Sequence, residues 1–204
     1  MAMMERDMLL CNVIASLGHV RGRKRFQKLM YVAKALGYPV PESFVWGNYG
    51  VYSSELQWEL DSLAKDGVIV ERNIAASGQE PEYDYTLGPP GARLLDQARM
   101  LAAMGETLEA RLSERDDPVS AIGNNEMDAL IAFLLELNAK SVRELELWSS
   151  ILYLRGSEQS EENLIAFLRY LKPQYSDAEI RQGIGEVAQL ANSSFEAVRR
   201  SRVR

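Results

Sequence analysis

A chain of 204 residues that is 47% hydrophobic and 25% charged has an ordinary globular composition and enough length to bury a core. Its net charge of −6 removes any general argument for nucleic-acid binding, which needs clustered cations. A single cysteine (Cys11) and a single histidine (His19) exclude an intramolecular disulfide and leave too few soft ligands for a metal site of about four.

The first 17 residues contain Glu5 and Asp7 where a secretory leader would be basic, and no apolar run approaches the ~20 residues of a membrane span. A cytoplasmic protein is expected. Residues 3–17 carry Met8, Leu9, Val13, Ala15 and Leu17 among few polar positions, which predicts a mostly buried helix with Cys11 as an inert core thiol. Gly18 ends it, and His19 reads as an ordinary polar residue of that turn.

Residues 23–36 are cleanly amphipathic. Phe26, Leu29, Met30, Ala33 and Leu36 share one arc, and Lys24, Arg25 and Lys28 share another. Gly37 stops this helix, and Pro39 and Pro41 prevent its continuation. Phe44 to Tyr49 predicts a short strand, with Gly47 and Gly50 bracketing a turn or bulge. Ser53 or Ser54 is a good N-cap for a third helix whose buried stripe is Leu56, Leu60, Leu63 and Ala64, with Asp66-Gly67 as its stop. Strands at 68–72 and 82–87 then form a hairpin around the polar loop Ser77 to Pro81.

Gly88-Pro89-Pro90-Gly91 is the strongest punctuation in the chain. Beyond it the pattern is helical: a long helix over 92–113, then helices near 125–138, 141–155, 160–171 and 176–199. Ser141 with Glu144 and Ser176 with Glu179 fit capping boxes. Gly183 and Gly185 lie inside a helical pattern and read as packing glycines or a kink. The expected fold is mainly α with a small β-hairpin: a winged-helix domain over 1–88 and a helical region over 89–204. The apolar side of the 92–113 helix suits a homodimer.

Two blocks carry a resemblance to a known family. Gly22-Arg23-Lys24-Arg25-Phe26-Gln27-Lys28-Leu29-Met30-Tyr31 and Asn48-Tyr49-Gly50-Val51-Tyr52-Ser53-Ser54-Glu55-Leu56, followed by Leu60, Leu63, Gly67 and Ile69, resemble the YwgA-like bacterial proteins. The likeness covers roughly residues 8–72. A more distant likeness is to the SocA-like (Panacea) antitoxin domain. Val51 stands where the family pattern has proline. The resemblance implies a winged-helix-like fold and supplies no catalytic residues.

Arg21, Arg23, Lys24, Arg25 and Lys28 put five positive charges into eight residues. They are the candidate patch for nucleic acid or an acidic partner at a helix start, where anions are favoured. The opposing reading is a solvated face balanced by Glu55 and Glu59. The third helix sits where a recognition helix would be, yet residues 53–66 carry Glu55, Glu59, Asp61 and Asp66 against Lys65 alone, which opposes major-groove binding. Trp58 points away from the Leu stripe and is a candidate interface anchor with Tyr49 and Tyr52, unless the C-terminal helices cover it. Residues 199–204 hold four arginines, read as a charged terminus. No catalytic, cofactor or metal motif is recognisable. The leading expectation is a non-enzymatic protein–protein interaction module, antitoxin-like or adaptor-like. The alternative is a DNA-binding transcriptional regulator working through residues 21–28.

Overall fold

The computed structural model describes residues 2–48, 50–74, 83–112, 122–155 and 160–203. Two sequence expectations, the loop Ser77 to Pro81 and the side chain of Tyr49, lie outside those residues. Among the described residues the chain forms eight helices and five short strands, a mainly helical fold with a small antiparallel component.

The N-terminal part runs α1 (Ala2–Leu17), β1 (Val20–Arg21), α2 (Arg23–Ala35), β2 (Val45–Gly47), β3 (Gly50–Tyr52), α3 (Ser54–Lys65), β4 (Ile69–Asn73) and β5 (Tyr83–Leu87). Strand β5 lies between β1 and β4 and is antiparallel to both, with Val20 opposite Tyr85 and Ile69 opposite Leu87. Strands β2 and β3 make a separate hairpin in which Gly47 faces Gly50. That hairpin corrects the single strand expected over Phe44 to Tyr49. Gly50 at φ +90° begins the returning strand in a backbone conformation that favours glycine. Strand β1 was also missed, because two residues cannot show a period of two.

The remaining helices are α4 (Pro89–Leu112), α5 (Ile122–Asn138), α6 (Val142–Leu154), α7 (Glu161–Leu171) and α8 (Asp177–Val203). Helix α4 starts at Pro89 rather than Ala92. Proline is tolerated in a first turn, where its missing N–H would have no helical partner anyway. Gly88 and Gly91 are there for closeness: a Cβ on either would lie 2.1 and 2.3 Å from the carbonyl oxygens of Gly67 and Val68. Helix α8 extends past residue 199 to Val203. Both expected capping boxes form. Ser141 and Glu144 satisfy each other's backbone N–H, as do Ser176 and Glu179. Gly183 lets α8 approach α6, since its Cβ would meet Ile151 and Leu147 at 2.9 and 3.0 Å.

One continuous apolar cluster joins the two parts of the chain, from Leu10 and Ile14 of α1 and Phe26 and Met30 of α2 to Leu130 and Leu134 of α5 and Trp148 and Ile151 of α6. Tyr38 stacks on Phe133 with ring centroids 4.6 Å apart. Helix α2 lies in the middle of this arrangement, in contact with β1, β3, α5 and α6. Every residue from Phe26 to Ala33 is buried, including Gln27 and Lys28. No helix of the described residues is long and apolar enough to cross a membrane.

Candidate functional site

The two sequence blocks meet in space. Gln27, buried on α2, donates from Nε2 to the carbonyl oxygen of Ser53 at 2.9 Å and accepts from the Ser53 backbone N–H at 2.8 Å. Ser53 in turn caps α3, its Oγ accepting from Leu56 N–H at 3.1 Å. One residue further along α2, the Lys28 ammonium donates to the carbonyl oxygen of Val51. The first block therefore holds the second through its side chains, and both the start of α3 and the β2–β3 hairpin are placed by α2.

The expected basic patch is mostly turned to internal use. Arg23 grips Glu71 of β4 through Nε and Nη2 at 2.8 and 2.9 Å, approaches Asp61 at 3.7 Å and lies over the Tyr83 ring at 4.5 Å. Lys24 pairs with Glu146 of α6 at 2.6 Å. Arg25 donates to the carbonyl oxygens of Asn138 and Lys140 at 3.0 and 2.6 Å, satisfying the C-terminal end of α5, where helix carbonyls lack partners. Lys28 is 3% exposed. Arg21 stays exposed at the end of β1. Arg23 and Lys24 are balanced by Glu71, Asp61 and Glu146. Glu55 instead accepts from Ser43 N–H at 2.9 Å.

Three ammonium groups gather around one carboxylate. Glu146 receives Lys24 on one oxygen and Lys172, from the end of α7, on the other, each at 2.6 Å. A Cβ on Gly50 would lie 3.4 Å from Lys172 Nζ and 3.6 Å from Lys28 Nζ, so the two ammonium groups crowd the same backbone position. Burial raises the cost of ionising Glu146, but the hydrogen bonds from Lys172 and Lys24 outweigh it and hold the carboxyl below its usual range. Burial lowers Lys28 to about 8; Glu146 opposes that shift, while Lys172 and Lys24 add to it.

A cavity of about 490 Å³ opens beside this cluster. Its wall includes Lys28, Lys24 and Arg23 of α2 and Gly50, Val51 and Tyr52 of the hairpin, and most of that wall is carbon. Next to it, Trp46 packs against Tyr153 at 5.6 Å and Tyr31 against Phe44 at 5.3 Å, the cross-element aromatic contacts expected of such residues.

The outer face of α3 is the second candidate. Trp58 is 58% exposed, contrary to the expectation that the C-terminal helices would cover it. Those helices pack instead on α1, α2 and the β3 side. Trp58 borders a shallow pocket with Ser54, Glu55 and Glu59, and Asp61 is exposed one turn on. Tyr52 is half-exposed and belongs to the α2 cavity rather than to this face. On the α4 side assigned above to a second copy, Leu95 is buried and Leu101 is 68% exposed, and Met100 and Met104 on the same helix are also exposed. Cys11 is fully buried, and burial followed by the nearby Asp7 raises its thiol to about 11. His19 Nδ1 lies 3.4 Å from Asp84.

The chain is similar to the Bacillus subtilis (strain 168) protein named uncharacterized protein YwgA, with 27% identity over 188 residues, 92% of this chain and 98% of that protein. No family model matches it. The likeness read from two blocks thus extends along most of the chain, and in the fold those blocks are the parts that α2 ties together.

Proposed function

We propose that the protein is a non-enzymatic protein–protein interaction module, antitoxin-like or adaptor-like, on a winged-helix scaffold. The scaffold reading is supported by the order α1, β1, α2, α3, β4, β5, with the β2–β3 hairpin inserted between α2 and α3, and by the placement of β5 between β1 and β4. The observation that carries the functional reading is Trp58, a large apolar ring left 58% exposed on the outer face of α3 between exposed Glu55 and Asp61. An exposed Trp is a strong anchor when it enters a desolvated socket. The surrounding carboxylates select the partner's chemistry: an apolar socket rimmed by Lys or Arg.

The test compares pull-downs from source-cell lysate using the wild type, Trp58→Ala and Asp61→Lys. Partners found with the wild type and lost or weakened in both variants support the reading. The same partners recovered at the same strength overturn it.

Support for the DNA-binding alternative is weaker. Four of the five cations at 21–28 make hydrogen bonds or ion pairs within the fold, and the two exposed ones are Arg21 and Lys24, the latter paired with Glu146. Duplex binding that survives physiological salt and is lost on Arg21→Glu would reverse this ranking.

A further inference from the structure

The cavity between α2 and the β2–β3 hairpin is not used by an interface on α3, and its chemistry is of another kind. Lys24, Lys28 and Lys172 surround the single carboxylate of Glu146, so the local charge is positive although the chain as a whole is acidic. Lys28 is nearly fully buried, and among the described residues its one hydrogen bond goes to the carbonyl oxygen of Val51. A lysine ammonium has three donors. A buried ammonium with one hydrogen bond, among three cations that share a single carboxylate, is stabilised by a further anion.

The space suits such an anion. A volume of about 490 Å³ falls within the range of roughly 300–1,000 Å³ typical of small-molecule sites. The wall is mostly carbon, supplied by the stems of the long cations together with Val51 and Tyr52. Gly47 and Gly50 present bare backbone at its edge. The pocket thus combines an apolar body with a cationic end.

We propose that this cavity binds a small organic anion, a phosphate or carboxylate head on an apolar body, with Lys28 at its inner end and Lys24 and Arg23 at its mouth. The ligand would bridge α2 and the hairpin next to the α6–α7 pair of Glu146 and Lys172. Because burial holds Lys28 at about 8, flanked by Glu146, Lys24 and Lys172, anion binding weakens as pH rises through that value and Lys28 loses its proton.

The experiment is calorimetric titration of the full chain with adenosine 5′-monophosphate, benzoate, inorganic phosphate and, as the uncharged control, adenosine. Saturable binding of the nucleotide or of benzoate with Kd below about 1 mM is expected. Adenosine should bind at least tenfold more weakly than its phosphate ester. Nucleotide without benzoate binding identifies a phosphate site, and the converse a carboxylate site. Lys28→Met should weaken the preferred probe at least tenfold while Lys28→Arg retains part of it. If Lys28→Met does not fold, Lys24→Gln at the mouth should weaken it severalfold. No saturation by any anion up to about 10 mM overturns the proposal. So does adenosine binding as tightly as its monophosphate, or unchanged binding in folded Lys28 and Lys24 variants. Trp58→Ala should leave these titrations unaltered, which separates failure of this site from failure of the α3 interface.

Discussion

Helices α2 and α3 are neighbours in the chain and both are amphipathic, but they differ in what they tie into the fold and what they leave at the surface. Helix α2 draws its cations inward: Arg23 to Glu71, Lys24 to Glu146, Arg25 to the end of α5 and Lys28 into the interior. Helix α3 buries Leu56, Leu60 and Leu63 and leaves Trp58, Glu55 and Asp61 outside. The helix that reads as a binding patch is therefore largely a clasp, and the one expected to be covered is open. Charge density along a sequence locates charge, but not the direction in which it points.

The inward disposition is tested most severely at Glu146. Glu146→Ala leaves Lys172 buried and unpaired beside Lys28 and removes the partner of Lys24. Breaking a buried pair in this way costs about 3–5 kcal/mol, which lowers the thermal midpoint by about 10 °C in a chain of this size. The wild type should also lose stability on acidification. The folded carboxyl sits below its unfolded value, so its contribution is present above that value and fades as pH falls through the folded one. A Glu146→Ala protein as stable as the wild type would mean the cluster is solvated rather than buried.

A smaller loss is expected at Gln27. Gln27→Ala orphans the N–H of buried Ser53 and removes one of the two donors to its C=O, which keeps Gln57 N–H, for about 1–3 kcal/mol. Gln27→Glu keeps the acceptor but loses the donor, and should fall between the two. Thermal unfolding measures both. An Ala variant within error of wild type would show that α3 is held by its apolar stripe alone.

Lys28→Met should change stability at neutral pH by no more than about 1 kcal/mol in either direction, because relief from burying a charge offsets the lost bond to Val51. The pH profile is the sharper readout. Burial puts the folded pKa near 8, below the ordinary lysine value. Between the two values the unfolded chain holds a proton that the folded chain has lost, so wild-type stability gains a contribution that rises with pH across that window. The methionine variant should lack that rise. If it keeps it, another group titrates there.

Much of the scaffold was legible because local signals agreed with one another. Apolar periodicity located the helices, Ser141 with Glu144 and Ser176 with Glu179 marked starts, and the spacing of Gly88 to Gly91 marked the turn into α4. Strand β1 and the β2–β3 hairpin were not legible, since each strand spans two or three residues and gains its identity from a partner across space. The same limit applies to the site. Lys24, Lys28 and Gly50 are visible as residue types in the sequence, but Glu146 and Lys172 lie about a hundred residues or more away on the chain. Nothing in a local pattern states that a glutamate on α6 will sit against a lysine on α2. The exposed Trp58 was legible as a direction on a helix, but its exposure depends on which surfaces the C-terminal helices choose.

The outward disposition gives the smallest stability effect and the clearest functional one. Trp58 contributes little to the core in this fold, so Trp58→Ala should shift stability by no more than about 0.5 kcal/mol, as surface changes usually do. A destabilisation of about 2 kcal/mol or more, measured by denaturant unfolding, would mean that the ring is packed in solution, against the chain itself or a second copy. Sedimentation separates those two cases. A dimer that dissociates in Trp58→Ala places the second copy on α3, whereas one that dissociates only on Leu101→Lys places it on α4, where Met100, Leu101 and Met104 are exposed. A monomer whose stability ignores Trp58 leaves the ring free for a different partner, and α3 then differs from α2 in the sense proposed: α2 ties its cations into the fold, whereas α3 keeps an exposed aromatic ring for recognition.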